Sequence, residues 1–404
     1  MNHICFIDRN RKCRMPPMFE SGANGRKFTH IYAEEETPES FIDKTQGVDL
    51  FLAISEIPFK IDNILTHLTL KRIPKAILFY DEPMSIISFF GNNHPFISQS
   101  VRKENNIHYF VWDNYWRKRL AEIGIKSFST HLAADTAYFH PQQDPLIPHL
   151  KDHVVFVGNI PSFDSVYNPI ATMEGKIGDV SQKLINRIEW SKYGENPFEI
   201  MKQVFKEEKF DHSFSDKLWR MFNRTAWLVG KRATRIKALN EVAKVAPLAI
   251  MSNLRLSGTA GFEELKHYGE LSKATMIDTS PITYDQIGSL CRCGAVQFQT
   301  TDPQSVEGGI PYRVFQCAAT ASPLISDYKE QLTDCFDVGS EIMLYTKLDE
   351  IPKLIEHSLK NRQQTRQIGL NSHKRFIQQH TWTHRIEDII SKINQHALSP
   401  ATAE

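Results

Sequence analysis

Along the first third of the chain, short runs that are apolar almost throughout alternate with longer amphipathic stretches. The runs are HICFID (3–8), VDLFLAIS (48–55), KAILFYDEP (75–83), IHYFVWD (107–113) and KSFSTHLAAD (126–135), closed mostly by small or acidic residues. A strand with one wet face alternates apolar and polar residues. A run without that alternation predicts a strand covered on both faces, as in a parallel sheet. Between the runs, IDNILTHLTLKR and NYWRKRLAEIG space their apolar residues as helices do. Such strand–helix alternation predicts a doubly wound α/β domain.

HPQQDPLIPHLKDH (140–153) is rich in proline and polar residues and reads as a linker. VVFVGN (154–159) then opens a second alternating series. A stretch of roughly 178–244 is helical with little strand signal, and APLAIMSN, GAVQFQTT, SPLISDY and EIMLYT follow as strands. One sheet is expected from strands near 3–8, 48–55, 75–80, 107–112 and 127–132. A second is expected from strands near 154–158, 247–252, 295–300, 322–326 and 342–345. A helix is predicted from about Pro311 to Ala321, and the last helical stretch breaks near His380-Thr381. The expected domains are residues 1–150, residues 151–378 with a helical insertion near 178–244, and a closing helix over 379–404 that returns to the first domain.

The 404 residues suit two domains of ordinary size. Hydrophobic residues make up 41% and charged residues 24%, the balance of a globular chain. A net charge of +1 argues against a general nucleic-acid binder, which needs a basic surplus to neutralise phosphates. No apolar stretch approaches the roughly 20 residues of a membrane span. MNHICFIDRNRKCR lacks the layout of a signal peptide. A cytoplasmic protein with reduced thiols is therefore expected. Cys291 and Cys293 lack the paired spacing of a zinc site and read as two small buried residues.

The candidate chemistry concentrates in VEGGIPYRVFQ (306–316). Pro311 suits a helix start, and free N–H groups with the helix dipole attract anions there. Gly308 and Gly309 would let a phosphate approach the backbone, and Arg313 offers a fork-shaped donor. The competing reading is a tight loop whose arginine faces solvent. In GKRATRIKALNEV (230–242), Lys231, Arg232 and Arg235 share a helix face that suits a diphosphate, or that is simply solvated. Asp81 and Glu82 end a strand, where α/β folds place ligands. A carboxylate there would orient an acceptor hydroxyl or act as a base, unless it only caps a turn. His131, in an apolar run, reads as structural. His380 and His384 stand one helical turn apart, but no third ligand accompanies them. YFVWDNYW (109–116) reads as packing rather than as a sugar platform.

Taken in order, Arg313-Val314-Phe315-Gln316, Phe336 to Glu341 and His380 to Arg385 resemble the C-terminal motifs of CgeB-like glycosyltransferases, within the wider family-1 and family-4 style enzymes. FYDEP, FVWDNY and HLAADTAYFHP resemble that family's N-terminal segments. The match covers most of the chain and is weak between about 160 and 225. The resemblance implies a GT-B fold, α/β with two Rossmann-like domains facing a central cleft, and a hexosyltransferase-type activity that retains configuration. The donor would be a nucleotide-sugar, UDP- or GDP-linked, and the acceptor a glycan, protein or lipid-linked molecule. The chain has no D-x-D triplet, so no metal or other cofactor is expected, and helix N-termini with basic side chains would stabilise the leaving diphosphate. The implied nucleotide-sugar contacts are Gly308, Gly309, Tyr312, Arg313, Gln316, Lys231, Arg232 and Arg235, with Asp81, Glu82 and Glu307 as catalytic candidates. Two positions depart from the pattern. Gln316 stands where related retaining enzymes carry a ribose-binding Glu, and Gly308 stands where a second Glu is usual, with Glu307 one place away. They favour the alternative of a catalytically weakened sugar-nucleotide-binding or scaffold protein of the same fold. The H-T-x-x-H-R ending argues against a nucleotide-sugar epimerase of similar two-domain form.

Overall fold

Most of the unbroken apolar runs become buried strands. The computed structural model describes residues 1–8, 16–54, 72–79, 103, 106–164, 166–167, 173–210, 216–253, 263–283 and 286–398. The chain divides into two units. The first comprises Met1–Ala137, Glu307–Ile310 and Gln378–Glu404, and the second Tyr138–Val306 and Pro311–Ile377.

In the first unit β1 (His3–Asp8), β2 (Lys27–Tyr32), β3 (Leu50–Ile54), β4 (Lys75–Phe79), β5 (Ile107–Val111) and β6 (Ser127–Ser129) form one parallel sheet, ordered β2-β1-β3-β4-β5-β6. In the second, β7 (Val154–Val157), β8 (Leu248–Ser252), β9 (Thr275–Asp278), β10 (Val296–Gln299), β11 (Leu324–Asp327) and β12 (Met343–Tyr345) form another, ordered β12-β11-β10-β7-β8-β9. Two strands were not marked by the apolar pattern, β2 and β9. Both are sheet edges with mostly half-exposed or exposed side chains, so neither needs an apolar run.

The helices that matter below are, in chain order, α1 (Pro16–Gly22), α2 (Asn114–Glu122), α3 (Gly175–Glu189), α4 (Pro197–Glu207), α5 (Asp216–Ala243), α6 (Ile287–Cys291), α7 (Tyr312–Ala319), α8 (Arg362–Gln379) and α9 (Trp382–Leu398). The long helical stretch is thus three helices. α4 starts afresh because Asn196 accepts the N–H of Phe198 and Pro197 occupies the first turn, where a missing N–H costs nothing.

Alternate residues of β7 serve two cores in the second unit. Val154 and Phe156 pack with Ile250, Phe298 and α5 residues Leu239 and Val242, while Val155 packs with Ala249, Met251, Leu290 and Cys293. Cys293 is thus a small core residue. The proline-rich segment is no free tether, since Leu150 is fully buried in that second core with Leu146 and Ile147 against it.

α9 is part of the first unit. Trp382 is buried with its ring 4.6 Å from that of Phe19, and Gly22 of α1 lies so close that a Cβ there would stand 2.9 Å from Trp382 and Ile386. Arg26 pairs with Glu387 at 2.6 Å. The H-T-x-x-H-R ending has a structural account. Arg385 donates to the Leu132 carbonyl at 3.0 Å and to His380 Nδ1 at 2.8 Å, while His384 bonds Thr381 at 2.7 Å. Cys5, Cys291, Cys293, Cys317 and Cys335 are buried and unbridged. Among the described residues no helix is long and apolar enough to cross a membrane.

Candidate functional site

Numbered from β7, the second sheet runs 3-2-1-4-5-6. The chain leaves β7 toward β8 on one side and β10 toward β11 on the other. Between these strands the winding reverses, and α/β folds bind ligands outside the carboxyl ends of the strands at such a point. Here those ends are Gly158-Asn159 after β7 and Thr300-Thr301-Asp302 after β10.

α5 brings its basic residues to this corner. Lys231 Nζ lies 2.8 Å from Asp302, and Trp227 Nε1 donates to the same carboxylate at 2.5 Å. Arg235 donates to the Asn159 carbonyl and lies 3.9 Å from Asp302. Arg232 donates to the Pro161 carbonyl at 2.7 Å and pairs with Glu264 at 3.0 Å. Both arginines are buried, so the shared face is not a solvated one. Burial is the largest single influence on Asp302 and pushes its pKa up. Lys231 and Arg235 together outweigh it and hold the carboxyl below its ordinary value. Burial also lowers the Arg235 pKa, against the opposing pull of Asp302 and Asp327. Asp327, at the carboxyl end of β11, accepts the Thr301 N–H at 2.8 Å and its hydroxyl at 2.6 Å. The corner is therefore a rigid, charge-matched frame.

The loop before α7 has a different partner. In the first unit the N–H groups of Glu307, Gly308 and Gly309 donate to one oxygen of Asp113, at 3.1, 3.2 and 2.8 Å. The other oxygen accepts the Tyr115 N–H at 2.8 Å and so caps α2. Successive N–H groups converging on an anion form a nest. Gly309 must lack a side chain, because a Cβ would stand 2.4 Å from the Trp112 ring. The donors that the sequence offers to a phosphate are thus engaged by the chain's own carboxylate. Burial raises the Asp113 pKa, and its four backbone N–H bonds oppose that rise only in part. The Glu307 side chain pairs with Lys118 at 2.6 Å.

On α7, Arg313 Nη1 lies 3.1 Å from Cys291 Sγ at the end of α6, while its Nε has no hydrogen-bond partner. The Cys317 thiol, one turn further along α7, hydrogen-bonds Cys291. That bond and the Arg313 charge draw the Cys291 thiol down to about 6, against its burial. Gln316 is buried, and the Tyr312 ring stands edge-on to Phe139 at 6.4 Å. Asp81 and Glu82 lie outside the described residues.

The structure therefore brings Lys231, Arg232 and Arg235 together at the switch point, and Glu307, Gly308 and Gly309 around Asp113. Asp302, Asn159, Trp227 and Asp113 were missed in the sequence. The signal available for Asp302 was an acidic residue just past the end of a strand, the same kind of signal that singled out Asp81. Among the described residues no group of three metal-ligating side chains is gathered.

Residues 235–391, a stretch that takes in Arg235, Asp302, Arg313 and Gln316, match a family model described as "Glycosyl transferase-like". A search of curated proteins gave no match. Among solved structures, HepE of Anabaena in complex with UDP and glucose has a TM-score of 0.55 at 9% identity, covering 98% of this chain and 100% of that one. A glycosyltransferase of Rickettsia africae has a TM-score of 0.55 at 10% identity, covering 99% of each chain. Sucrose-phosphate synthase of Thermosynechococcus elongatus has a TM-score of 0.51 at 9% identity, covering 99% of this chain and 100% of that one. At such identities the likeness is one of fold. The chain has the two-domain α/β GT-B fold, each domain Rossmann-like.

Proposed function

We propose that this protein is a hexosyltransferase of the CgeB-like kind. It takes a sugar from a nucleotide-sugar, UDP-linked in the first instance, and passes it to a glycan, protein or lipid-linked acceptor with retention of configuration. The observation that carries the reading is the glycosyltransferase-like match over 235–391, which falls on the sheet whose switch point collects Arg235 and Asp302. HepE, of the same fold, was solved with UDP-glucose. A nucleoside diphosphate leaves with developing charge that the site must stabilise. The first turn of α7 and the unengaged donors of Arg313 are the groups suited to it, since a guanidinium has five N–H donors and Cys291 takes one. Gln316 would meet the ribose hydroxyls, because a carboxamide both donates and accepts. The chemistry is assigned to these groups without a metal, and the unbridged cysteines suit the cytoplasm.

Two observations favour a second reading, a binding protein with weakened catalysis. Gln316 stands where a carboxylate is usual, and Glu307 is tied to Lys118. The deciding experiment is a panel of UDP-, GDP-, dTDP- and CMP-sugars, read by thermal shift and by donor hydrolysis, with and without EDTA. A ligand bound by the folded state alone raises the melting temperature. The transferase reading expects one donor to bind and hydrolyse in EDTA. Binding without hydrolysis selects the second reading, and no binding by any donor overturns both. Arg313→Ala should weaken donor binding by about 1.5–3 kcal/mol while the fold remains, and Gln316→Glu should hold or raise affinity. Unchanged affinity in Arg313→Ala would remove Arg313 from the site.

A further inference from the structure

The helical insertion of the second unit carries a surface that none of the chemistry above uses. α3 and α4, joined by residues 190–196, flank a groove of about 710 Å³. That lies in the range of small-molecule sites, ~300–1,000 Å³. Trp190, the first residue after α3, is 88% exposed. A tryptophan left in water forgoes one of the largest burial gains a side chain can make. The backbone that displays it is fixed. Lys237 of α5 donates to the carbonyls on either side of Trp190, Glu189 at 2.9 Å and Ser191 at 2.8 Å. The Tyr193 hydroxyl lies 2.9 Å from that of Tyr345. The indole is thus held out by an anchored loop, not by a fraying end.

The rest of the groove defines the ligand. Lys183 pairs with Glu208 and Arg187 with Glu207, each at 2.7 Å, and the Lys192 N–H donates to Glu195 at 3.1 Å. Among the described lining residues three basic ones meet three acidic ones, a balance that gives a phosphate or a polyanion no surplus charge to bind. Among the described residues, the only apolar side chain lining it besides Trp190 is Val204, too little for an acyl chain or an apolar peptide face. A neutral sugar matches both features. One face of a pyranose is lined with C–H groups and lies flat on an indole, as apolar bodies do on aromatic rings. Its rim hydroxyls each donate and accept, which ion-paired carboxylates and guanidinium groups satisfy together.

We propose that this groove is a binding site for a neutral oligosaccharide. Trp190 stacks on one ring, and the Lys183–Glu208 and Arg187–Glu207 pairs hold its hydroxyls. The site rests on the transferase reading only for its use, which is to hold a glycan acceptor. Binding itself needs no nucleotide. The test is saturation-transfer NMR without nucleotide, on the full chain and on its Trp190→Ala and Trp190→Phe variants. The probes are tetrasaccharides of glucose, mannose, galactose and N-acetylglucosamine, with heparin as the charged control. At least one neutral tetrasaccharide should bind the wild type and Trp190→Phe. Trp190→Ala should bind it about tenfold more weakly, the scale of losing an aromatic anchor, with an unchanged melting temperature because the side chain is exposed. Absence of binding by all four tetrasaccharides, undiminished binding by Trp190→Ala, or a preference for heparin would each overturn the proposal. A protein partner lost on Trp190→Ala without any glycan binding would also overturn it. Glycan binding that fails while a donor binds and hydrolyses counts against this site alone. The reverse outcome counts against the transferase reading alone.

Discussion

Asp113 shows how one side chain can organise two distant pieces of sequence. Its carboxylate starts α2 through Tyr115 and receives three successive N–H groups from residues 194 to 196 places further on. A buried acceptor with charge-assisted bonds is costly to remove, because each orphaned donor keeps its desolvation penalty. Asp113→Ala is expected to destabilise the protein by about 3 kcal/mol or more. Asp113→Asn keeps one acceptor oxygen and should cost about 1–2 kcal/mol. Urea denaturation should therefore rank wild type above Asn above Ala. An Ala variant as stable as the wild type would show that the nest is not held by this carboxylate and that its N–H groups are open to a ligand. The glycine pair was legible in the sequence as backbone open to an anion. Its occupant was not, because nothing local marks a partner so far along the chain.

The same limit applies to elements. The alternation of apolar runs located five strands of each sheet, because burial on both faces leaves a trace in every residue of the strand. The edges β2 and β9 escaped because one side of an edge strand is open, as KFTHIY and TMID show. For α5 the charged face was legible and its partners were not. Asp302 is 75 residues from Trp227, and only folding brings them together. That contact makes α5 a structural strut of the corner as well as a candidate contact surface. Asp302→Ala would leave Lys231 and the buried Arg235 without their carboxylate. Breaking a largely desolvated pair from one side is expected to cost about 3–5 kcal/mol. Lys231→Ala leaves the carboxylate with Trp227 and Arg235, and should cost less, about 1–3 kcal/mol. Guanidinium denaturation of both variants checks the asymmetry, and equal losses would mean that Asp302 does not organise the corner.

At the scale of the whole molecule, the buried titratable groups of the first unit set its response to pH. Burial, with lesser contributions from His396 and Lys75, lowers the His108 pKa to about 4. Burial, then Arg385, His380 and Lys392, lowers that of His131 to about 3. Both histidines are neutral in the folded and unfolded chain well above the ordinary value of 6.5. As the pH falls through that value the unfolded chain binds protons that the fold refuses, so stability is lost from there down to the folded values. Each unit of pH in that window is worth about 1.4 kcal/mol per group, on the order of 3–5 kcal/mol for each histidine over its full range. Lys75, fully buried at the start of β4, is lowered by burial to about 7. By the same sign, its contribution is present above the unfolded value of 10.5 and lost as the pH falls through about 7. Stability should therefore climb from pH ~3 to ~6.5 through the histidines and again above ~7 through Lys75. His131→Asn should flatten the acid limb and leave the alkaline limb, while Lys75→Met should raise stability at neutral pH and flatten the alkaline limb. Melting temperatures across the pH range read both. An acid limb unchanged in His131→Asn would mean that this histidine is not held neutral by the fold, and that His108 and the carboxylates set the acid sensitivity.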